Sequence, residues 1–193
     1  NIGSAVITSH WQHYVDAILV SWLGGQEMGR AVAETLCGWN NPSGRLPETF
    51  PKKQQDVLSL QNYPGDGYKV QYKEGLMVGY RHFDTNQVQP EYEFGFGLSY
   101  SDFVYRNLER EDLKLTFEVE NISAEDGDEI VQVYLSAPKD AWVSHPEKEL
   151  KAFRRISLKA GEKKQVTISL QEEDFQYYNT ALKQWTVETG IYT

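Results

Sequence analysis

The 193-residue sequence predicts an α+β chain in two parts, the closing piece of an α/β domain followed by a β-sandwich. Three observations predict it. Residues 1–100 hold twelve of the fifteen glycines and five of the seven prolines, so the first half is turn-rich and the second regular. An apolar run in the first half passes through a Gly-Gly pair into a segment with helical spacing, which is half of a βαβ unit. The second half repeats short segments of period two, separated by turn residues. At about 150 residues per domain the length allows one large domain or two small ones.

In chain order, Ala17 to Trp22 reads as a fully buried parallel strand, bounded by Gly24 and Gly25. Gln26 to Leu36 follows as a helix, with Met28, Val32, Ala33 and Leu36 on one face and Gly38 as its stop. Three prolines between Pro42 and Pro51 exclude regular helix there. Residues 52–71 are polar and predict a long surface excursion. Tyr72 to Asp84 admits a short helix on which Leu76, Tyr80 and Phe83 share a face. Residues 85–101 form an aromatic, Gly-rich connector. A parallel sheet needs several strands and this half supplies about one and a half, so residues 1–100 read as the last part of a domain.

Residues 101–193 read as strands. From Leu113 to Asn121 apolar and polar residues alternate, the pattern of a half-buried strand. Ile130 to Leu135, Leu150 to Leu158, Val166 to Leu170, Trp185 to Val187 and Ile191 to Thr193 continue the series. Asp126-Gly127, Ala160-Gly161-Glu162 and Thr189-Gly190 are the turn signals between them. This spacing predicts an immunoglobulin-like, fibronectin type III-like β-sandwich.

Composition excludes several classes. The formal charge is −9 and the sequence pI about 5.0, a poor basis for holding a phosphate backbone, so no nucleic-acid partner is expected. No apolar run approaches the roughly 18 to 20 residues that span a bilayer, and no membrane partner is expected. Cys37 is the only cysteine, so no internal disulfide forms. A reducing, cytoplasmic compartment is compatible with this, and secretion of a parent protein stays open. Aromatic residues make up 13% of the chain, a surplus that fills either cores or binding surfaces.

Four ordered segments together resemble the family 3 glycoside hydrolases of the β-glucosidase type. From Ala17 to Pro51 the strand ending in Trp22 is followed by Gln26 and Glu27, the helix, and Asn41, Pro42, Ser43, Gly44, Arg45, Leu46, Pro47, Thr49, Phe50 and Pro51. Met28 stands where the family usually has glycine. Tyr72 to Asp84 is similar to the family's Tyr-x-Glu-Gly-x-x-Val-Gly-Tyr-Arg. Pro90 to Phe103 is similar to its Phe-Gly-x-Gly-Leu-Ser-Tyr segment, with Glu93 in place of a proline. Gly127 to Tyr134 and Lys148 to Phe153 match within the sandwich.

The resemblance implies a catalytic barrel, an α/β sandwich domain and a fibronectin type III-like domain. Residues 1–100 would be the end of the second and 101–193 the third. It also implies that the nucleophilic Asp and the acid/base Glu lie upstream of Asn1, and that the last strand continues past Thr193. The expectation is thus a C-terminal piece of a retaining β-glucosidase, inactive alone and supporting the catalytic parts. A β-glucoside or oligosaccharide would be the parent's substrate, and a homo-oligomer stays open. The alternative is a non-catalytic carbohydrate-binding or dimerisation module. Apolar surface should be exposed around Ile18, Val20 and Leu36.

Retaining hydrolysis needs two carboxyl groups about 5 to 5.5 Å apart, and spacing alone selects no such pair among 28 acids. Gln26 and Glu27 are the residues nearest a substrate in this reading, because ligands gather where strands end and helices begin in α/β sheets. Glu27 also reads as a simple complement to the helix dipole. Gly24-Gly25 lacks the companions of a phosphate loop. His10 and His13 are three apart without further ligands in register, so no metal is expected, and no cofactor. Arg45 and Arg81 read as structural, and Cys37 as a small buried hydrophobe. Tyr92, Phe94, Phe96, Tyr100 and Phe103 read as a domain seam or, alternatively, a sugar-stacking platform. Trp142 reads equally as a contact surface or as packing.

Overall fold

The computed structural model describes residues Asn1–Thr193 and divides into two compact units. The first comprises Asn1–Asn40 and Arg45–Gly97, the second Asn41–Gly44 and Leu98–Thr193.

The first unit holds two α-helices, α1 (Met28–Leu36) and α2 (Tyr80–Thr85), with 3-10 turns at Gln12–Tyr14, Gln54–Asp56 and Leu58–Gln61. The α1 helix ends as the sequence requires. Gly38 takes φ +76°, the Trp39 N–H donates to the Glu34 carbonyl (2.8 Å) and the Gly38 N–H to the Thr35 carbonyl (3.0 Å). That pair of bonds is a Schellman cap, and the left-handed residue it needs is glycine. The α2 helix is shorter than expected: Leu76 lies in the turn before it and is largely exposed, while Phe83 is buried.

The strand expected at Ala17–Trp22 does not form; the segment is irregular. A strand's backbone groups need a neighbouring ladder. The only bridge in this unit is an isolated antiparallel pair, Phe50 with Tyr92.

That pair is the unit's centre. Phe50 is 2% exposed, and its ring meets Trp22 and Tyr92 edge-on at 6.2 and 6.1 Å. The Phe50 N–H donates to the Tyr92 carbonyl (2.9 Å), and the Glu91 N–H returns a bond to Phe50 (2.8 Å). Phe94 stacks on Tyr80 at 4.6 Å, and Phe96 lies against Tyr92 at 5.5 Å. Three rings of the aromatic run are therefore packed inside the first unit, Tyr92 on Phe50 and Phe96, and Phe94 on Tyr80.

The second unit is the β-sandwich. Strands β1 (Phe103–Glu111), β2 (Lys114–Asn121) and β5 (Lys163–Ser169) form one antiparallel sheet in the order β1-β2-β5. Strands β3 (Gly127–Leu135) and β4 (Glu149–Leu158) form a second, and β6 (Gln176–Asn179) with β7 (Gln184–Val187) a hairpin. Period two in β2 puts Phe117 and Val119 on the inner face. They join Val131 from β3, Ile156 and Leu158 from β4, and Val166 and Ile168 from β5 in one buried cluster.

Two strands were not expected, β1 and β6. Ile191–Thr193, expected as a strand, is instead held by one reciprocal pair of backbone bonds, Ser136 with Thr193 (2.7 and 3.2 Å). Gly127 opens β3 because a Cβ there would sit 2.7 Å from Ser101 Oγ and 3.0 Å from Phe103 Cζ.

A groove at the start of the first helix

Gln26 and Glu27 lie where the chain turns into α1. The turn is tight: the Met28 N–H donates to the Gly25 carbonyl at 3.1 Å, and a Cβ on Gly24 would come within 2.6 Å of Met28 Cβ. Both side chains border a groove of about 570 Å³, together with Leu19, Val20, Ser21, Met28, Ala31, Val32 and Thr35. Apolar side chains make up most of the wall, and Glu27 is the one carboxylate in it. Glu27 occupies the N-cap position of α1 but makes no side-chain capping bond, so its carboxylate is left to the groove and to solvent.

The remaining candidates separate from this groove. Arg45 donates to the Gly97 carbonyl, a structural role within the first unit. Arg81 lies over the Tyr80 ring at 5.5 Å. His13 stacks beside Tyr14, and no group of three or more His, Cys, Asp or Glu side chains is placed to hold a metal ion. Cys37 is exposed, against the burial expected for it, because it caps the free end of α1 beside Leu36, which is 69% exposed. Trp142 is 92% exposed. Tyr178 and Trp185 pair edge-to-face on the β6–β7 hairpin, with Trp185 65% exposed.

Sequence reasoning missed two buried carboxylates. Glu129 on β3 accepts from the Tyr105 hydroxyl at 2.8 Å. Glu188, 6% exposed, lies 3.7 Å from His145 Nε2, whose ring stands edge-on to Tyr177. Twenty-four and forty-three residues separate these partners in sequence, and only the packing of the folded sandwich brings them together, Tyr105 and Glu129 from different sheets and His145 and Glu188 from loops.

Ordinary surface electrostatics account for the shifted groups. Asp126 is held below the usual carboxylate range, first by a hydrogen bond from Lys159 and then by the Ala160 N–H. Asp128 is lowered by Ser157 and then Arg155, and Asp66 by the N–H groups of Tyr68 and Lys69. Burial raises the Tyr192 hydroxyl.

Residues 1–100 match the family model described as the glycosyl hydrolase family 3 C-terminal domain. The chain belongs to glycoside hydrolase family 3. Residues 129–193 of this family 3 chain match the fibronectin type III-like domain. Thermostable beta-glucosidase B of Acetivibrio thermocellus is 44% identical over 98% of the chain, and the exo-alpha-(1->6)-L-arabinopyranosidase of Bifidobacterium breve is 39% identical over the same share. Among solved structures, beta-glucosidase 3B from Thermotoga neapolitana is similar with a TM-score of 0.92 at 42% identity over the whole chain. The family 3 beta-glucosidase of Bifidobacterium adolescentis gives 0.94 at 41% over 99%. The chain spans 26% of the length of both curated relatives and 28 to 29% of these structures. The fold is therefore a C-terminal α/β domain piece followed by a fibronectin type III-like sandwich.

Proposed function

We propose that this chain is the C-terminal portion of a retaining β-glucosidase and that it supports the catalytic parts without supplying their carboxylates. Residues 1–100 close the α/β domain and residues 101–193 form the fibronectin-like domain. The observation that carries this reading is the single carboxylate in the groove. Hydrolysis with retention needs a nucleophile and an acid/base about 5 to 5.5 Å apart, and Glu27 has no carboxylate opposite it there. On the family resemblance, the nucleophilic Asp and the acid/base Glu would belong to the part of the protein this chain does not span; it covers 26% of the Acetivibrio thermocellus relative. The apolar wall of the groove, with exposed Ile18, Leu19 and Leu36, fits a surface meant to be covered by those parts. Gln26 and Glu27 are the side chains it contributes nearest to substrate.

The substrate class is a terminal β-glycoside of glucose, as the beta-glucosidase names among the relatives support. The test is complementation. The 193-residue chain alone should release no nitrophenol from nitrophenyl β-glucoside above the buffer rate. Mixed with the thermostable beta-glucosidase of Acetivibrio thermocellus lacking its matching C-terminal quarter, it should restore hydrolysis. Turnover by the chain alone would overturn the reading.

A further inference from the structure

The second unit contains four residues that the chain delivers from far upstream, Asn41–Gly44. Asn41 explains why they belong there. Its Oδ1 accepts from the Ser99 hydroxyl at 2.9 Å and from the Tyr100 N–H at 2.8 Å. Its Nδ2 donates to Ser101 Oγ at 2.8 Å and to the Asp126 carbonyl at 2.9 Å. A primary amide offers two donor hydrogens and two acceptor lone pairs, and all four are used. No other residue type supplies two donors and two acceptors at that reach: aspartate has no donor, and glutamine is one methylene longer.

The four partners come from two separate loops. Ser99, Tyr100 and Ser101 precede β1, and Asp126 precedes β3. Ser101 is buried, and its hydroxyl passes the contact on to the Glu125 carbonyl at 2.9 Å. Ser99 Oγ also accepts from the Ser101 N–H at 3.2 Å. Gly127 is held without a side chain by the same serine, since any Cβ there would strike Ser101. The two loops thus touch each other through Ser101 and are bridged by an amide located some sixty and eighty-five residues earlier in the chain.

We propose that Asn41 is a strap that orders the entrance loops of the sandwich: residues 98–102 and 125–127 take their native form only when the sequence-distant segment Asn41–Gly44 of the same unit is in place. The inference stands apart from the hydrolase reading, because it concerns this chain's own hydrogen bonds.

Hydrogen–deuterium exchange on the full 193-residue chain tests it. In Asn41→Asp, which keeps size and both acceptors but removes both donors, the Tyr100 and Asp102 amides should exchange at least about tenfold faster, as expected for a locally opened loop. The Phe50 and Glu91 amides, which pair within the first unit, should keep their protection. Ser99→Ala, which removes one of Asn41's four bonds together with the acceptor of the Ser101 N–H but leaves both Asn41 donors paired, should give a smaller acceleration at the same amides. If Asn41→Asp fails to fold, the Ser99→Ala pattern alone decides. Unchanged exchange at Tyr100 in the folded variants overturns the proposal, and so does acceleration spread equally over both units.

Discussion

The two units differ in what they bury. The second encloses eight buried hydrophobic side chains, seven of them in one cluster between facing strands, while the first fully buries only Phe50 and Phe83. Yet the first carries more large apolar residues in the open, among them Leu23 at 77% and Trp39 at 82% exposure. A strand or helix with one apolar face is stable only when another layer covers that face. Sandwich strands bring their own covering layer, since each sheet faces another sheet of the same unit. In the first unit Trp22 alone of the apolar run Ala17–Trp22 packs on a ring, that of Phe50, while Ile18, Leu19 and Leu36 of α1 stay exposed, and the run does not become a strand.

The difference can be broken most directly by truncating one apolar side chain in each unit. Phe117→Ala removes a ring that is 6% exposed at the centre of the sandwich cluster and should cost about 3–5 kcal/mol. Leu36→Ala removes a side chain that is 69% exposed and should fall within about 0.5 kcal/mol of the parent. Urea unfolding followed by tryptophan fluorescence reads both. Equal losses would mean that Leu36 is packed in solution and that the two units are alike.

These same forces decide what could be read from the sequence. Strands β2, β4 and β5 were legible because each alternates over a buried face, and α1 because Gly38 marks its end. The β1 strand was not. Its sequence after Val104 is polar or charged except for Tyr105 and Leu108, since it is a sheet edge with most side chains in water. Its register also shifts between Arg106 and Glu109, where Asn107 takes φ +54° and the alternation breaks. The error ran the other way at Ala17–Trp22, where a buried-strand composition records a layer that this unit does not contain. The Gly-Gly turn into α1, with Glu27 at the helix N-cap, was legible from local pattern. Glu188 with His145 was not, because two loops 43 residues apart meet only in the folded sandwich.

A smaller effect comes from acid. Asp126 and Asp128 belong to the sandwich and Asp66 to the first unit, and all three are held below the ordinary carboxylate range. A lowered folded-state pKa contributes stability above the unfolded value and loses it as pH falls through the folded one. Stability should therefore be level from neutral pH down to about 4, the usual carboxylate range, and decline below it. Asp126→Asn should flatten the acid limb slightly and leave neutral stability lowered by the lost Lys159 and Ala160 contacts. A thermal midpoint that rises between pH 4 and pH 3 would contradict the sign.

The smallest effect separates the two readings of Glu27. If its carboxylate served the helix, replacing it would cost about 1 kcal/mol as a lost cap, or a few tenths up to that as a lost dipole partner. The side chain makes no capping bond, and the Glu27 carbonyl, which accepts from the Ala31 N–H at 3.0 Å, survives any substitution. Glu27→Gln should then leave the unfolding midpoint of the isolated chain unchanged within about 0.5 kcal/mol. In the complemented hydrolase the same variant should raise KM more than it lowers kcat, because a side chain near substrate but outside the reacting pair contributes binding common to ground and transition states. A stability loss of a full kilocalorie with unaltered KM would return Glu27 to the helix and leave the groove without a functional side chain of its own.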